Sequence, residues 1–149
     1  MLVLIYILVL IINGTMPCYL VENFADYNGQ YIVYVNEYSE VDLNGVTSVK
    51  NYNGQILKSS ISKYCVILNN IDAVASETVV INNISVKDIK NKLELNIKDS
   101  LTLNGVILYN AYTTKFKRYI NANCGKVNIQ IAIYSSGEVY VGYPFLVDF

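Results

Sequence analysis

Beyond residue 25, four Asn-Gly pairs at 28–29, 44–45, 53–54 and 104–105 cut the chain into short runs of alternating apolar and polar residues. Asn-Gly accepts positive φ at both central positions of a tight turn, and the twist of that turn matches two antiparallel strands. Cys124-Gly125 and Ser136-Gly137 add two further turn signals. Punctuation this dense leaves no room for long helices and directs the chain to a mainly β fold. The 14 tyrosines and the many Ile and Val residues agree, because aromatic and β-branched side chains suit half-buried pleated surfaces.

Alternation is clearest near the C-terminus. Val127, Ile129, Ile131 and Ile133 share one strand face, and Asn128, Gln130, Ala132 and Tyr134 share the other. After a turn at 135–138, Val139, Val141, Tyr143 and Phe145 fall on one side and Tyr140, Gly142 and Pro144 on the opposite side. Proline has no amide hydrogen for a ladder, so Pro144 marks an edge or the end of pairing. The strands predicted are Gln30 to Glu37, Val46 to Tyr52, Gln55 to Lys58, Glu77 to Asn82, Leu93 to Leu101, Val106 to Thr113, Lys126 to Tyr134 and Val139 to Val147.

Two short helices interrupt them. In 60–69, Ile61, Tyr64, Cys65 and Leu68 form one helical face, with Ser59 or Ser60 as N-cap. In 86–92, Ser85 is the cap, Asp88 sits in the first turn, and Val86, Ile89 and Leu93 point inward. The order is a hairpin, a helix, a strand, a helix and two hairpins. The expected fold class is therefore α+β, an antiparallel sheet with both helices packed on one face.

Leu2 to Ile12 is an uninterrupted apolar run of eleven residues. A membrane span needs about 20 such residues, so this length suits the core of a signal peptide or N-terminal anchor. The expected organisation is a leader or anchor over 1–25 and a single domain over 26–149, with any tether to the membrane lying in residues 2–21. Cys18 follows Met16 and Pro17, which do not make a lipidation motif, and reads as incidental.

From Asp26 onward the chain holds eleven basic and eleven acidic residues. A neutral domain offers no electrostatic footprint for nucleic acid, and contact with a membrane is expected only through the N-terminal segment. The densest basic stretch is Lys115, Lys117 and Arg118, interleaved with Tyr112, Phe116 and Tyr119, and these six residues form the candidate partner surface. Cys65 and Cys124 would form a disulfide if an oxidising exterior brought them together; buried free thiols are the alternative.

No histidine occurs in the chain. Its absence removes Ser-His-Asp and Cys-His nucleophile activation and histidine-bearing zinc sites. No phosphate-binding loop or nucleotide fingerprint is present, so no cofactor is expected. Carboxylates remain: Glu37, Glu40 and Asp42 cluster on a loop without the order of a calcium site. Asp72 with Glu77, and Asp88 with Glu94, read as helix-end residues.

The segments Val106 to Tyr112, Val127 to Ile133 and Val139 to Leu146 resemble the closing portion of the YwmB family. The shared features are an aromatic-Ala-Tyr strand, an Asn-hydrophobic-Gln-hydrophobic-Ala strand and a Gly-x-Pro strand. The family consists of exported proteins of Gram-positive bacteria, with a fold likened to that of the TATA-box-binding protein. The resemblance covers about 45 residues and its motifs are structural, so no catalytic residue carries across. It implies an exported α+β domain tied to the cell envelope, and with so little catalytic vocabulary in the residues the expectation is a non-enzymatic, cell-envelope-associated domain that binds a protein or envelope partner. The alternative is a hydrolase or lyase acting through carboxylates and tyrosines outside the membrane.

Overall fold

The computed structural model describes residues 19–37, 43–51 and 53–148. The apolar run Leu2 to Ile12, Cys18, Glu40 and Asp42 lie outside the described residues. The fold is α+β: a large antiparallel sheet with two short helices. Among the described residues, eight strands run in the order β2-β3-β1-β4-β10-β9-β6-β5. They are β1 (Gly29–Val35), β2 (Thr47–Asn51), β3 (Gly54–Ser60), β4 (Ser76–Asn82), β5 (Asn96–Leu103), β6 (Val106–Tyr112), β9 (Ile129–Ile133) and β10 (Glu138–Tyr143). A separate two-stranded ribbon pairs β7 (Ile120–Ala122) with β8 (Gly125–Val127).

The turn chemistry works as expected at Asn104-Gly105, where both residues take positive φ, 51° and 78°, and Leu103 faces Val106 across a two-residue loop. It works differently near the N-terminus. β1 pairs with β3 and β4, not with β2, because eleven residues separate β1 from β2 and only two separate β2 from β3. The hairpin therefore forms between β2 and β3 and lays β3 beside β1.

One sheet face carries the main core. Tyr31, Val33 and Val35 of β1, Val79 and Ile81 of β4, Ile129 and Ile131 of β9, and Val139, Val141 and Tyr143 of β10 all join a single buried cluster. The helices α1 (Tyr64–Leu68) and α2 (Val86–Leu93) contribute Ile67, Ile89 and Leu93 to it. In α2 the Ser85 hydroxyl accepts the Asp88 N–H at 3.0 Å, capping the first turn, and donates to the Asp88 carboxylate at 2.6 Å. We expect Ser85→Ala to lower stability by about 1 kcal/mol in urea denaturation.

The first helix departs from its expected form. Residues Ile61–Lys63 are a 3-10 turn, and only Tyr64–Leu68 is α-helical. Three residues per turn rotates the inward face, so Ile67 is buried and Cys65 is exposed. Ser60 occupies the cap position but its side chain makes no cap bond, facing the Ser62 hydroxyl at 2.9 Å instead.

Within the stretch 1–25, the described residues begin at Tyr19. Residues Leu20–Phe24 form a 3-10 turn in which Leu20, Val21 and Phe24 are fully buried in the main core.

The opposite sheet face is covered in part by residues 145–148. β10 stops at Tyr143, as Pro144 requires, and residues 145–148 turn back across the sheet. The Ser76 hydroxyl donates to the Phe145 carbonyl at 2.6 Å, the Leu146 N–H to Gln130 Oε1 at 3.1 Å, and the Val147 N–H to Thr78 Oγ1 at 2.8 Å. Lys58 and Asp148 form an ion pair, and Val147 packs on Ile32 and Val80. This return demands glycine at 142, where an added Cβ would lie 2.6 Å from both the Phe145 oxygen and the Leu146 nitrogen. Phe145 is consequently exposed rather than on the core face with Val139 and Val141.

Candidate functional site

Val79 and Ile81 place alternate residues of β4 in the core, and the same phase drives Glu77 inward. Glu77 has 0% exposure and sits opposite Val33 on one side and Tyr143 on the other. It is no helix-end residue, as Asp72 with Glu77 had suggested, because residue 76 already begins a strand. A buried carboxylate requires donors. Tyr31 donates its hydroxyl to Glu77 Oε2 at 2.5 Å, and the Leu20 N–H donates to Oε1. The 3-10 turn is thereby fastened to the sheet through its first backbone amide.

Burial holds the Glu77 carboxyl up at about 7, from an ordinary 4.5, against the lowering effects of the Tyr31 and Leu20 hydrogen bonds and of Arg118. Burial, followed by the neighbouring Glu77, also pushes the Tyr31 phenol far upward. Tyr19 is raised by its burial, then by Glu77 and Glu22.

Next to this cluster lies a cleft of about 350 Å³, lined by the end of β1 at Val35 to Glu37, by the loop 70–75, and by Arg118. Arg118 is held on two sides. Its Nη1 donates to the Val74 and Ala75 carbonyls, both at 2.9 Å, and its guanidinium carbon stands 4.9 Å from the centre of the Tyr143 ring. The Arg118 backbone N–H donates to the Tyr143 hydroxyl at 3.2 Å. A guanidinium fixed in orientation loses little side-chain entropy on binding. Glu37 and Asp72, which line the same cleft, add two acidic groups to it.

The six residues of the candidate partner surface divide. Phe116 is buried and stacks on Tyr143 with ring centres 4.4 Å apart. Arg118 enters the cleft lining. Lys115 donates to the Lys92 carbonyl at 3.0 Å, bracing the end of α2. Tyr112 is half-buried in β6, while Lys117 is exposed. Tyr119 is exposed, with Lys126 Nζ 4.4 Å from its ring centre. The stretch is thus a brace whose outer side presents Lys117 and Tyr119 and whose inner side supports the cleft.

Asn128 anchors that brace. The expected continuous strand Lys126 to Tyr134 is broken at this residue, which is fully buried between β8 and β9. Its Oδ1 accepts the Thr113 N–H at 2.9 Å, and its Nδ2 donates to the carbonyls of Thr113 at 2.9 Å and Phe116 at 3.3 Å. A side-chain amide thus takes the place of a backbone amide and turns the chain out of the sheet.

Cys65 is exposed on α1, Cys124 lies in the β7–β8 turn, and both are free. Glu37 lines the cleft without Glu40 or Asp42, which lie outside the described residues. Among the described residues, no group of three His, Cys, Asp or Glu side chains could hold a metal ion, and no helix is long and apolar enough to cross a membrane. Compared with protein-family models, curated proteins and solved structures, the chain matches none.

Proposed function

We propose that the chain is an exported, non-enzymatic domain of the cell envelope that binds a protein or envelope partner, and that the cleft at Arg118 is where it does so. The observation that carries the reading is the Arg118 guanidinium, hydrogen-bonded to the Val74 and Ala75 carbonyls, in a cleft that Glu37 and Asp72 also line: charge of both signs suits recognition of a polar partner. The apolar Leu2 to Ile12 run and the resemblance of the C-terminal strands to the YwmB family support the extracytoplasmic part of it.

Two experiments test the two parts. A reporter fused after Phe149 is expected outside the membrane, and deletion of residues 2–12 is expected to retain it in the cytoplasm. A photo-crosslinking residue at Ala73, which is exposed and lines the cleft, is expected to give a discrete adduct that Arg118→Gln abolishes, while the same residue at Lys90 on α2 gives none. Equal labelling from both positions would count against the cleft.

A second reading, a hydrolase or lyase using carboxylates and tyrosines, has the Glu77–Tyr31 pair in its favour. A carboxyl near 7 in contact with a phenol has the acid strength that proton transfer at neutral pH uses. It requires substrate to displace the Leu20 amide, so its signature is an activity that Glu77→Gln removes.

A further inference from the structure

We infer that the free edge of β5 pairs with the β5 of a second copy of this chain, joining two sheets into one across a two-fold axis at Thr102. β5 ends the sheet, so among the described residues one side of its backbone has no strand partner. Such edges invite pairing unless they are guarded by charge, proline or a bulge. The first half of β5 is guarded: the register shifts between Ile97 and Asp99, and Lys98 and Asp99 are charged. The second half, Ser100 to Leu103, has no charge, no proline and no register shift, and it exposes Leu101 at 58% and Leu103 at 55%. β2, at the other end of the sheet, carries Lys50 within its five residues.

The hairpin decides which groups face outward. In a two-residue loop the flanking pair, here Leu103 and Val106, exchanges its backbone hydrogen bonds, so Thr102 and Ser100 direct theirs to the open edge. A two-fold axis normal to the sheet keeps like faces together and pairs residues whose numbers share parity. Centred on Asp99, it sets two like charges opposite each other; centred on Ser100 or Leu101, it sets Asp99 against a leucine. Centred on Thr102, it pairs Leu101 with Leu103 of the second copy twice, and Ser100 with Asn104 twice. It also places Thr102 opposite itself as a hydrogen-bonded pair. The exposed leucines of the two copies then merge with the Leu108 and Val106 side chains beside them into one apolar surface.

The test uses the full-length chain in freshly prepared lysate, with Cys18, Cys65 and Cys124 changed to Ser. In a hydrogen-bonded antiparallel pair the Cα atoms are about 5.5 Å apart, within reach of a disulfide. Thr102→Cys is therefore expected to oxidise to a covalent dimer of two chains and nothing else, on the order of tenfold more than Lys90→Cys on α2. Adding Leu101→Asp and Leu103→Asp is expected to abolish it; both side chains are exposed, so the fold is kept. Dimer yields equal at 102 and 90, a yield unaffected by the two aspartates, or a mixed disulfide with another protein would each overturn the proposal.

Discussion

Raising the pH from 4.5 to 7 is expected to destabilise the fold by about 3 kcal/mol through Glu77 alone, a loss that Glu77→Gln removes. The sign follows from the direction of the shift. The folded protein holds the Glu77 proton more tightly than the unfolded chain does, because burial penalises the carboxylate and the unfolded chain does not bury it. The stabilisation is full below the unfolded value of 4.5, falls through the interval, and is gone above the folded value of about 7. Urea denaturation across this range, in wild type and in Glu77→Gln, isolates the effect from other titrations by difference. A wild-type stability that tracks the variant at every pH would show that the carboxyl is solvated. Tyr31→Phe should steepen the loss, since it removes the hydroxyl bonded to Oε2 and leaves the ionised form with the Leu20 amide as its remaining direct donor.

The second large effect is expected at Asn128. Asn128→Ala withdraws three hydrogen bonds and strands the buried N–H and C=O of Thr113 without partners. Each such group costs about 1–3 kcal/mol, so a total loss of about 4 kcal/mol is expected by urea denaturation. Asn128→Asp separates hydrogen bonding from packing. Its carboxylate can still accept the Thr113 N–H but faces the Thr113 and Phe116 carbonyls, and it should be no better than alanine. Because the same amide holds the chain that carries Phe116 and Arg118, hydrogen exchange at the Thr113 amide and crosslinking from the cleft should change together.

What the sequence discloses and what it hides divide along physical lines. Alternation places Val139, Val141, Ile129 and Ile131 on the core face, since period-two patterning is a direct record of which side is dry. Ser85 and Pro144 are legible because capping and the missing amide act within a few residues of themselves. The β1–β3 pairing is not legible, because it depends on competition between a long and a short connection. Nor is the role of Asn128: alternation assigns it to the polar face, whereas its partners lie 12 and 15 residues away and are backbone groups without a sequence signature. Glu77 is the instructive case. It stands in phase with Val79 and Ile81, and an acidic residue in the dry phase of a strand is itself a signal. Only the fold supplies Tyr31 and the Leu20 amide that make its burial tolerable.

The docking of Leu20 also sets a length. The apolar run ends at Ile12 and the first fully buried residue among those described is Leu20, which leaves seven residues between them. Fully extended, seven residues reach at most about 25 Å. If the apolar run lies in a bilayer, that length leashes the domain to within about 25 Å of the lipid. If it is removed, the cut must fall before the Leu20 amide, or the buried carboxyl of Glu77 loses its clasp.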